Sequence, residues 1–400
     1  MDIYSTVILF ILCAFSVVLV YNEGLAYNKN RLAACILLSL AAFALRYLCM
    51  DHETLDYLNF LTVWVEHFKN NGGFRGLAVS IGNYNVPYLY FLALISYFRI
   101  YDLYLIKLVS IFFDIILAFA VMKLVGVVSS SRTKRLFAFY AVLLLPTVIL
   151  NSSYWAQCDS IYVAFAVLSI WCALSGRPKL SLVMIAVSFS FKLQAVFVMP
   201  IFLAFIYTGR MKWRHLPIFP LTYIAMVLPA VLTGRPFMDT LTLYIDQGGT
   251  VGSYLNFNSP SIFAILQNVD TALWSKLGIV LAFLFMAAVL YWLFLCRKSL
   301  SEQTLLAAAA LLAVGIPFLL PHMHDRYFYA TDILTLAFAV TAPSFFLLPL
   351  CSQFASLLGY HAYLQGRYLL PMSDGAVALI AVIVLLLFYI ASHTYKVHKK

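Results

Sequence analysis

Between residues 51 and 88 the chain gathers Asp51, Glu53, Asp56, Glu66, Lys69 and Arg75, although only 10% of its 400 residues are charged. Three carboxylates within six residues, Asp51, Glu53 and Asp56, suit a general base that takes the proton of a hydroxyl nucleophile. Loop acids are ordinarily only solvated; grouping against an apolar background raises their interest. Four other polar segments carry candidates: Asn151–Ser160 (NSSYWAQCDS), Phe191–Gln194 (FKLQ), the long stretch Thr233–Thr271 with Asp239 and Asp246, and Pro321–Asp332 (PHMHDRYFYATD). Lys192 interrupts an apolar stretch, which is costly unless it meets an anion, a carboxylate such as Asp159, or water. His322, His324 and Arg326 fall within five residues and suit capture of a phosphate, the guanidinium by its planar fork. Asp159 serves equally well as a helix cap or as a site residue. Asp114, inside an apolar run, is expected to be satisfied by a neighbouring helix, and the sequon at Asn151 carries little weight beside a membrane.

Elements must hold these residues in place. From Asp56 the apolar residues Tyr57, Phe60, Leu61, Trp64, Val65 and Phe68 recur at helical spacing, which predicts an amphipathic helix with carboxylates at its start. The Asn-Asn-Gly-Gly run at 70–73 stops it. The chain as a whole is 64% hydrophobic with a strongly positive mean hydropathy, far from the roughly half-apolar make-up of a soluble domain. Apolar runs at 3–21, 32–50, 104–128, 136–150, 160–175, 179–192, 195–208, 216–232, 274–296, 304–320, 327–342, 345–362 and 375–393 predict an all-α polytopic membrane protein. About thirteen spans are expected, some of them tilted or broken, in one integral-membrane domain over 1–400. The first run lacks a preceding basic residue and a small-residue cleavage site, so it is expected to be a retained span. The seven cysteines have no metal-ligand spacing, and most lie inside apolar runs, which argues against a zinc site or a disulfide scaffold.

The run Pro87–Ile100 decides the topology. Left as a surface-lying helix, it puts Lys29/Arg31, Arg132/Lys134/Arg135, Arg177/Lys179, Arg210/Lys212/Arg214, Arg297/Lys298 and Lys396/Lys399/Lys400 on one side. Nearly all acids then fall on the other side. By the positive-inside rule the basic side is cytoplasmic. The loop 51–104, with its interfacial helices, and the loop 233–272 are then extracytoplasmic. The net charge of +10 is thereby explained by topology and not by nucleic acid.

In this order the segments resemble the GT-C superfamily of polytopic glycosyltransferases, most of all bacterial members akin to GPI mannosyltransferases and the dolichyl-phosphate-glucose-dependent glucosyltransferases. Asp56-Tyr57 followed by Trp64 is similar to the family's acid-aromatic-Trp pattern, and Asn83–Tyr88 to its Tyr-x-Pro-Pro-Leu run. Trp155-Ala156-Gln157-Cys158-Asp159-Ser160 resembles Trp-Gly-Gln-x-Asp-Ser, with Ala in place of Gly. Phe191–Gln194 matches Phe-Lys-x-Gln, and His324-Asp325-Arg326 resembles His-Glu-Arg/Lys. The resemblance implies a cell-membrane enzyme with an extracytoplasmic site. It would move a monosaccharide, with inversion, from a polyprenyl-phosphate donor to a glycan or glycolipid acceptor. Asp56 is then the expected base, with Asp51 second, and Lys192, His324 and Arg326 take the donor phosphate. Trp64, Tyr84, Asn85, Gln157, Asp159, Gln194 and His322 are expected to line the substrate site. A phosphate leaving group is a weak base and needs no general acid, so no cofactor is required, although a divalent metal is compatible with the scheme. Three other readings share these features: a transporter or flippase for lipid-linked sugar, a ligase or polymerase using diphosphate donors, and a non-catalytic scaffold. The first is disfavoured by the absence of an internal inverted repeat. The second is disfavoured by the few outer-side arginines, Arg75, Arg99, Arg235, Arg326 and Arg367.

Overall fold

The computed structural model describes residues 1–249, 254–266 and 269–395, with side chains except at 245–249 and 395. Lys396, Lys399, Lys400 and the side chain of Asp246 lie outside the described residues. Helices follow one another as α1 (Ile3–Asn22), α2 (Lys29–Cys49), α3 (Thr62–Asn70), α4 (Val86–Ile95), α5 (Asp102–Val128), α6 (Arg132–Leu143), α7 (Pro146–Ile149), α8 (Asp159–Leu174) and α9 (Pro178–Phe191). Then come α10 (Ile201–Tyr207), α11 (Ile218–Leu232), α12 (Phe237–Gly249), α13 (Thr271–Leu295), α14 (Glu302–Leu319), α15 (Tyr329–Thr341), α16 (Leu347–Gln365) and α17 (Met372–Tyr395). Two short strands, β1 (Asn256–Phe257) and β2 (Met323–His324), pair in parallel.

Among the described residues eight helices are long and apolar enough to cross a membrane, and nine if the bent pair α6 and 146–154 counts as one span. The architecture is that of an all-α, multi-pass membrane protein. The runs at 160–175, 179–192, 195–208 and 327–342 fold as α8, α9, α10 and α15, which hold 16, 14, 7 and 13 residues. At 1.5 Å per residue all four fall short of the roughly 30 Å hydrocarbon thickness. Prolines set several of these breaks: Pro146 and Pro178 open α7 and α9, and Pro200 precedes α10.

The bundle has two chemically distinct ends. At one, Arg135 and Lys123 pair with Glu23 (2.6 and 3.1 Å), Arg31 donates to Thr133 (2.8 Å) and Arg210 pairs with Glu302 (2.7 Å). Lys134 and Gln303 both reach Thr341, which links these loops to one another. Glu23 and Glu302 are thus acids on the basic side, each drawn there by arginine. Helix α5, with 27 residues, runs from the acidic end at Asp102 to this basic end.

Two expectations need correction. The helix after Asp56 does form and stops at Asn70, with Gly72 taking up the left-handed φ of +71° that an L side chain resists. It opens, however, with a π turn over Tyr57–Leu61, and its apolar residues lie on two faces. Tyr57, Leu61, Trp64, Val65 and Phe68 are buried, whereas Leu55, Leu58, Phe60 and Val63 are exposed. One face packs on the bundle and the other presents a greasy surface suited to lipid. The run 87–100 does not lie free on the bundle: α4 is ten residues long, and Val86, Tyr88, Leu89, Leu92, Ala93 and Ile95 are all buried. An apolar helix of about 15 Å cannot cross a bilayer and instead packs into the bundle's side.

Candidate active site

The sequence fixes Asp56 from behind. Lys107, fully buried, donates to the carbonyls of Cys49, Met50 and His52 (2.9, 2.8 and 2.6 Å), taking up acceptors that the end of α2 leaves free. Thr54 donates to the Trp155 carbonyl at 3.1 Å, and Tyr57 donates to Asp102 at 2.8 Å. The chain on both sides of Asp56 is therefore tied to α5 and to the Trp155 segment. Asp56 itself heads a π turn, and a second π turn, Leu150–Tyr154, leads into Trp155. Such turns are rare and recur at functional sites, since the extra residue re-aims side chains.

The Asp56 carboxylate is enclosed by donors. Its Oδ2 accepts from Trp155 Nε1 at 2.9 Å and Gln157 Nε2 at 2.7 Å, while Oδ1 accepts from the Tyr363 hydroxyl. Arg326 Nη2 stands 3.9 Å from Oδ2. Trp155 and Gln157 reach one oxygen because the residue between them, Ala156, takes a φ of +63°. Glycine adopts that conformation freely, whereas alanine pays roughly 1–2 kcal/mol for it. Ala156→Gly is therefore expected to fold at least as stably as the natural chain, within about 1 kcal/mol, and to keep its function, whereas Ala156→Val should lower the melting temperature by several degrees. A thermal melt of the three proteins reads this out; an unchanged valine variant would contradict the strain.

Arg326 is the hub. Its Nη1 lies 3.8 Å from Asp159 Oδ2 and its Nε 3.6 Å from Asp325 Oδ1, and it also donates to Gln157 Oε1. The guanidinium lies over the Trp155 ring at 4.9 Å, and Trp155 in turn stacks on Tyr363. Asp159 has a second cation in Lys192 (2.5 Å) and a neutral donor in Asn151 (2.7 Å). It starts α8 without capping it, so its carboxylate belongs to the site. Lys192 meets both its carboxylate and the face of Tyr84, whose hydroxyl donates to Gln157. Burial pushes the Asp325 carboxyl up to about 7, against the pull of Arg326. Burial, helped by Arg326, pushes His324 down to about 4, which favours the neutral ring at pH 7. It stacks on Phe257 at 4.6 Å where β1 meets β2.

Asp56, Gln157, Asp159, Lys192, Arg326 and Tyr84 thus come together. Gln194 lies beside the Tyr327 hydroxyl, next to His324. Trp64 forms an outer wall, edge-on to Tyr84 at 5.5 Å. Three expected residues stand elsewhere. Asp51 is two-thirds exposed, and Tyr104 donates to it at 2.7 Å. Its position two residues beyond the end of α2 turns it away from the cage. Asn85 caps α4 and donates to Tyr223 (3.2 Å). His322, at a φ of +61°, is held by the Tyr254 carbonyl and Ser275. Tyr363 and Tyr360 also line this cluster though the sequence reading passed over them, and Asn151 and Asp325, noted there only as a sequon and as part of a motif, join it. Asn151, a sequon residue, is wholly buried. Asp114 pairs with Arg46 at 2.9 Å, as expected of a buried acid. All seven cysteines are unpaired. Among the described residues no group of three His, Cys, Asp or Glu side chains is placed to hold a metal; the three carboxylates surround Arg326 instead. An open groove of about 590 Å³, lined in part by Asn256, Asn258, Tyr368 and Met372, flanks the β1 strand whose Phe257 covers His324.

The chain matches no protein-family model and no curated protein.

Proposed function

We propose that this chain is an inverting glycosyltransferase of the GT-C kind, which moves a monosaccharide from a polyprenyl-phosphate donor to a glycan or glycolipid. The observation that carries the reading is the Asp56 carboxylate, fixed by Trp155, Gln157 and Tyr363 beside an arginine, at the end of a lipid-embedded bundle. Fixed neutral donors hold a carboxylate in one orientation without neutralising it. Asp56 takes the proton of the acceptor hydroxyl as its oxygen bonds to the anomeric carbon. The bond from that carbon to the phosphate oxygen breaks, and its electron pair leaves with polyprenyl phosphate. Arg326 is the group that receives the growing charge on the phosphate, with Lys192 supporting it through Asp159. Burial raises Asp325 to about 7, so near neutral pH it carries only part of its charge, and Asp56 and Asp159 beside Arg326 and Lys192 leave the cage close to neutral where the donor's single negative charge enters. His324 offers a neutral ring nitrogen. The Asn256–Tyr368 groove, with its amides, hydroxyl and apolar floor, suits an acceptor sugar.

In this reading α8, α9 and α15 cross as short spans in a locally thinned bilayer, and α10 with the preceding turn Leu193–Phe197 as a broken one, which brings the nine crossings near the thirteen expected from the sequence. The site end is extracytoplasmic, because the basic loops gather at the other end. Single cysteines at Ser80 and Ser130, both exposed, test this. An impermeant thiol reagent added outside intact cells should label the first and spare the second; labelling of Ser130 alone would invert the topology.

The activity test uses the purified chain in liposomes with a panel of radiolabelled polyprenyl-phosphate sugars and a glycolipid extract as acceptor. Label should leave the donor for a new glycoside, with one free polyprenyl phosphate per transfer. Label that crosses to the other leaflet with its phosphodiester intact would mean transport instead.

A further inference from the structure

Below the Asp56 cage the bundle holds a second polar centre that the transfer chemistry does not use. Asp332, in the first turn of α15, is completely buried. Its Oδ1 accepts from Ser352 and, at 3.1 Å, from Ser356. Its Oδ2 is buried and makes no hydrogen bond of good geometry. Thr147 of α7 and Gln353 of α16 reach the same carboxyl, joined to each other by a 2.8 Å bond. No cation faces it among the described residues, whereas Asp114 has Arg46 and Asp159 has Lys192. A lone carboxylate inside a membrane bundle is costly. The partial charge of the α15 first turn is less than one unit. What the centre does offer is hard oxygen: one carboxylate, the hydroxyls of Thr147, Ser352 and Ser356, and the Gln353 amide. Hard oxygen donors suit alkali and alkaline-earth cations, and a single negative charge matches a monovalent one.

We propose that Asp332, Ser352, Ser356, Thr147 and Gln353 form a binding site for a sodium-sized monovalent cation. The site lies on the same face of α16 as the cage. Ser352, Ser356, Tyr360 and Tyr363 follow one another at helical spacing, and meet Asp332, Asp332, Asn151 and Asp56 in turn. The cation therefore braces α7, α15 and α16, and through α16 it holds the tyrosine that orients Asp56. Neither the geometry nor the test depends on the sugar-transfer reading.

The experiment is a thermal melt of the purified full chain in detergent, with sodium chloride replaced stepwise by choline chloride at constant ionic strength. Sodium should raise the melting temperature saturably, by about 2–4 °C for a site filled well above its dissociation constant. Ser356→Ala should raise the half-saturating concentration at least about tenfold, and Asp332→Asn should abolish the response. Ser356→Ala keeps the proposal open to refutation even where Asp332→Asn does not fold. A melting temperature equal in sodium and choline would overturn it, as would a sodium response that either variant leaves unchanged.

Discussion

Asp56→Asn is expected to slow sugar transfer at least about a hundredfold while leaving the fold and donor uptake intact, since loss of a general base typically removes 10²–10⁴ in rate. Asparagine has the shape to stay in the cage. With its oxygen toward Trp155 and Gln157, its amide meets the Tyr363 hydroxyl, which can reverse its role and accept. What is lost is the basic oxygen alone. Asp51→Asn is the matched control: it removes a carboxylate five residues away that is exposed and held by Tyr104, and it should cost far less. The reverse pattern would make Asp51 the base. No loss in either variant would make the cage a structural feature.

Arg326→Lys should be nearly as damaging. The guanidinium spans Asp56, Asp159 and Asp325 with different nitrogens and lies flat on Trp155. A lysine ammonium is a point charge that can serve one of these partners well and cannot stack in the same way. Donor affinity should fall at least about tenfold, as expected when one charge-assisted bond is lost from a largely buried site. Arg326→Ala removes the charge as well, and leaves Asp325 and Asp56 without their cation; such a change typically costs about 3–5 kcal/mol of stability. Donor titration by quenching of the site's tryptophan fluorescence, alongside a thermal melt, separates the two effects. A lysine variant with the natural donor affinity would remove Arg326 from the phosphate.

The all-α membrane architecture was legible because lipid leaves a chain few options, and apolar runs then announce themselves. The helix count was less legible, because composition reports that a run is buried and not whether it is long enough to cross. α8 and α15 are as apolar as spans and several residues short. Asp56, Asp159, Lys192 and Arg326 were readable since charge inside such a chain is rare enough to stand out, and Gln157 through the motif it shares with Asp159. Tyr363 was not, since one tyrosine among 26 carries no signal by type. Its spacing from Tyr360, Ser356 and Ser352 was the available clue: a polar stripe down one face of an otherwise apolar helix. Asp51 and His322 misled because nearness in sequence does not fix direction. Two residues past a helix end turned Asp51 outward, and a left-handed backbone turned His322 toward Tyr254 and Ser275. Ala156 worked the other way, since its departure from glycine concealed a left-handed position that the backbone nevertheless adopts.

The most direct measurement of Asp56 as the base uses a nucleophile that needs none. Azide is already an anion and can attack the anomeric carbon without giving up a proton. Asp56→Ala, supplied with polyprenyl-phosphate sugar and azide, should form the glycosyl azide with inverted configuration, at a rate at least that of the natural chain under the same conditions. Transfer to a hydroxyl acceptor should remain at least about a hundredfold down. Mass spectrometry identifies the product, and its anomeric proton coupling gives the configuration. If the variant binds donor yet makes no azide adduct, Asp56 does something other than take the acceptor's proton, and the account built on it is wrong.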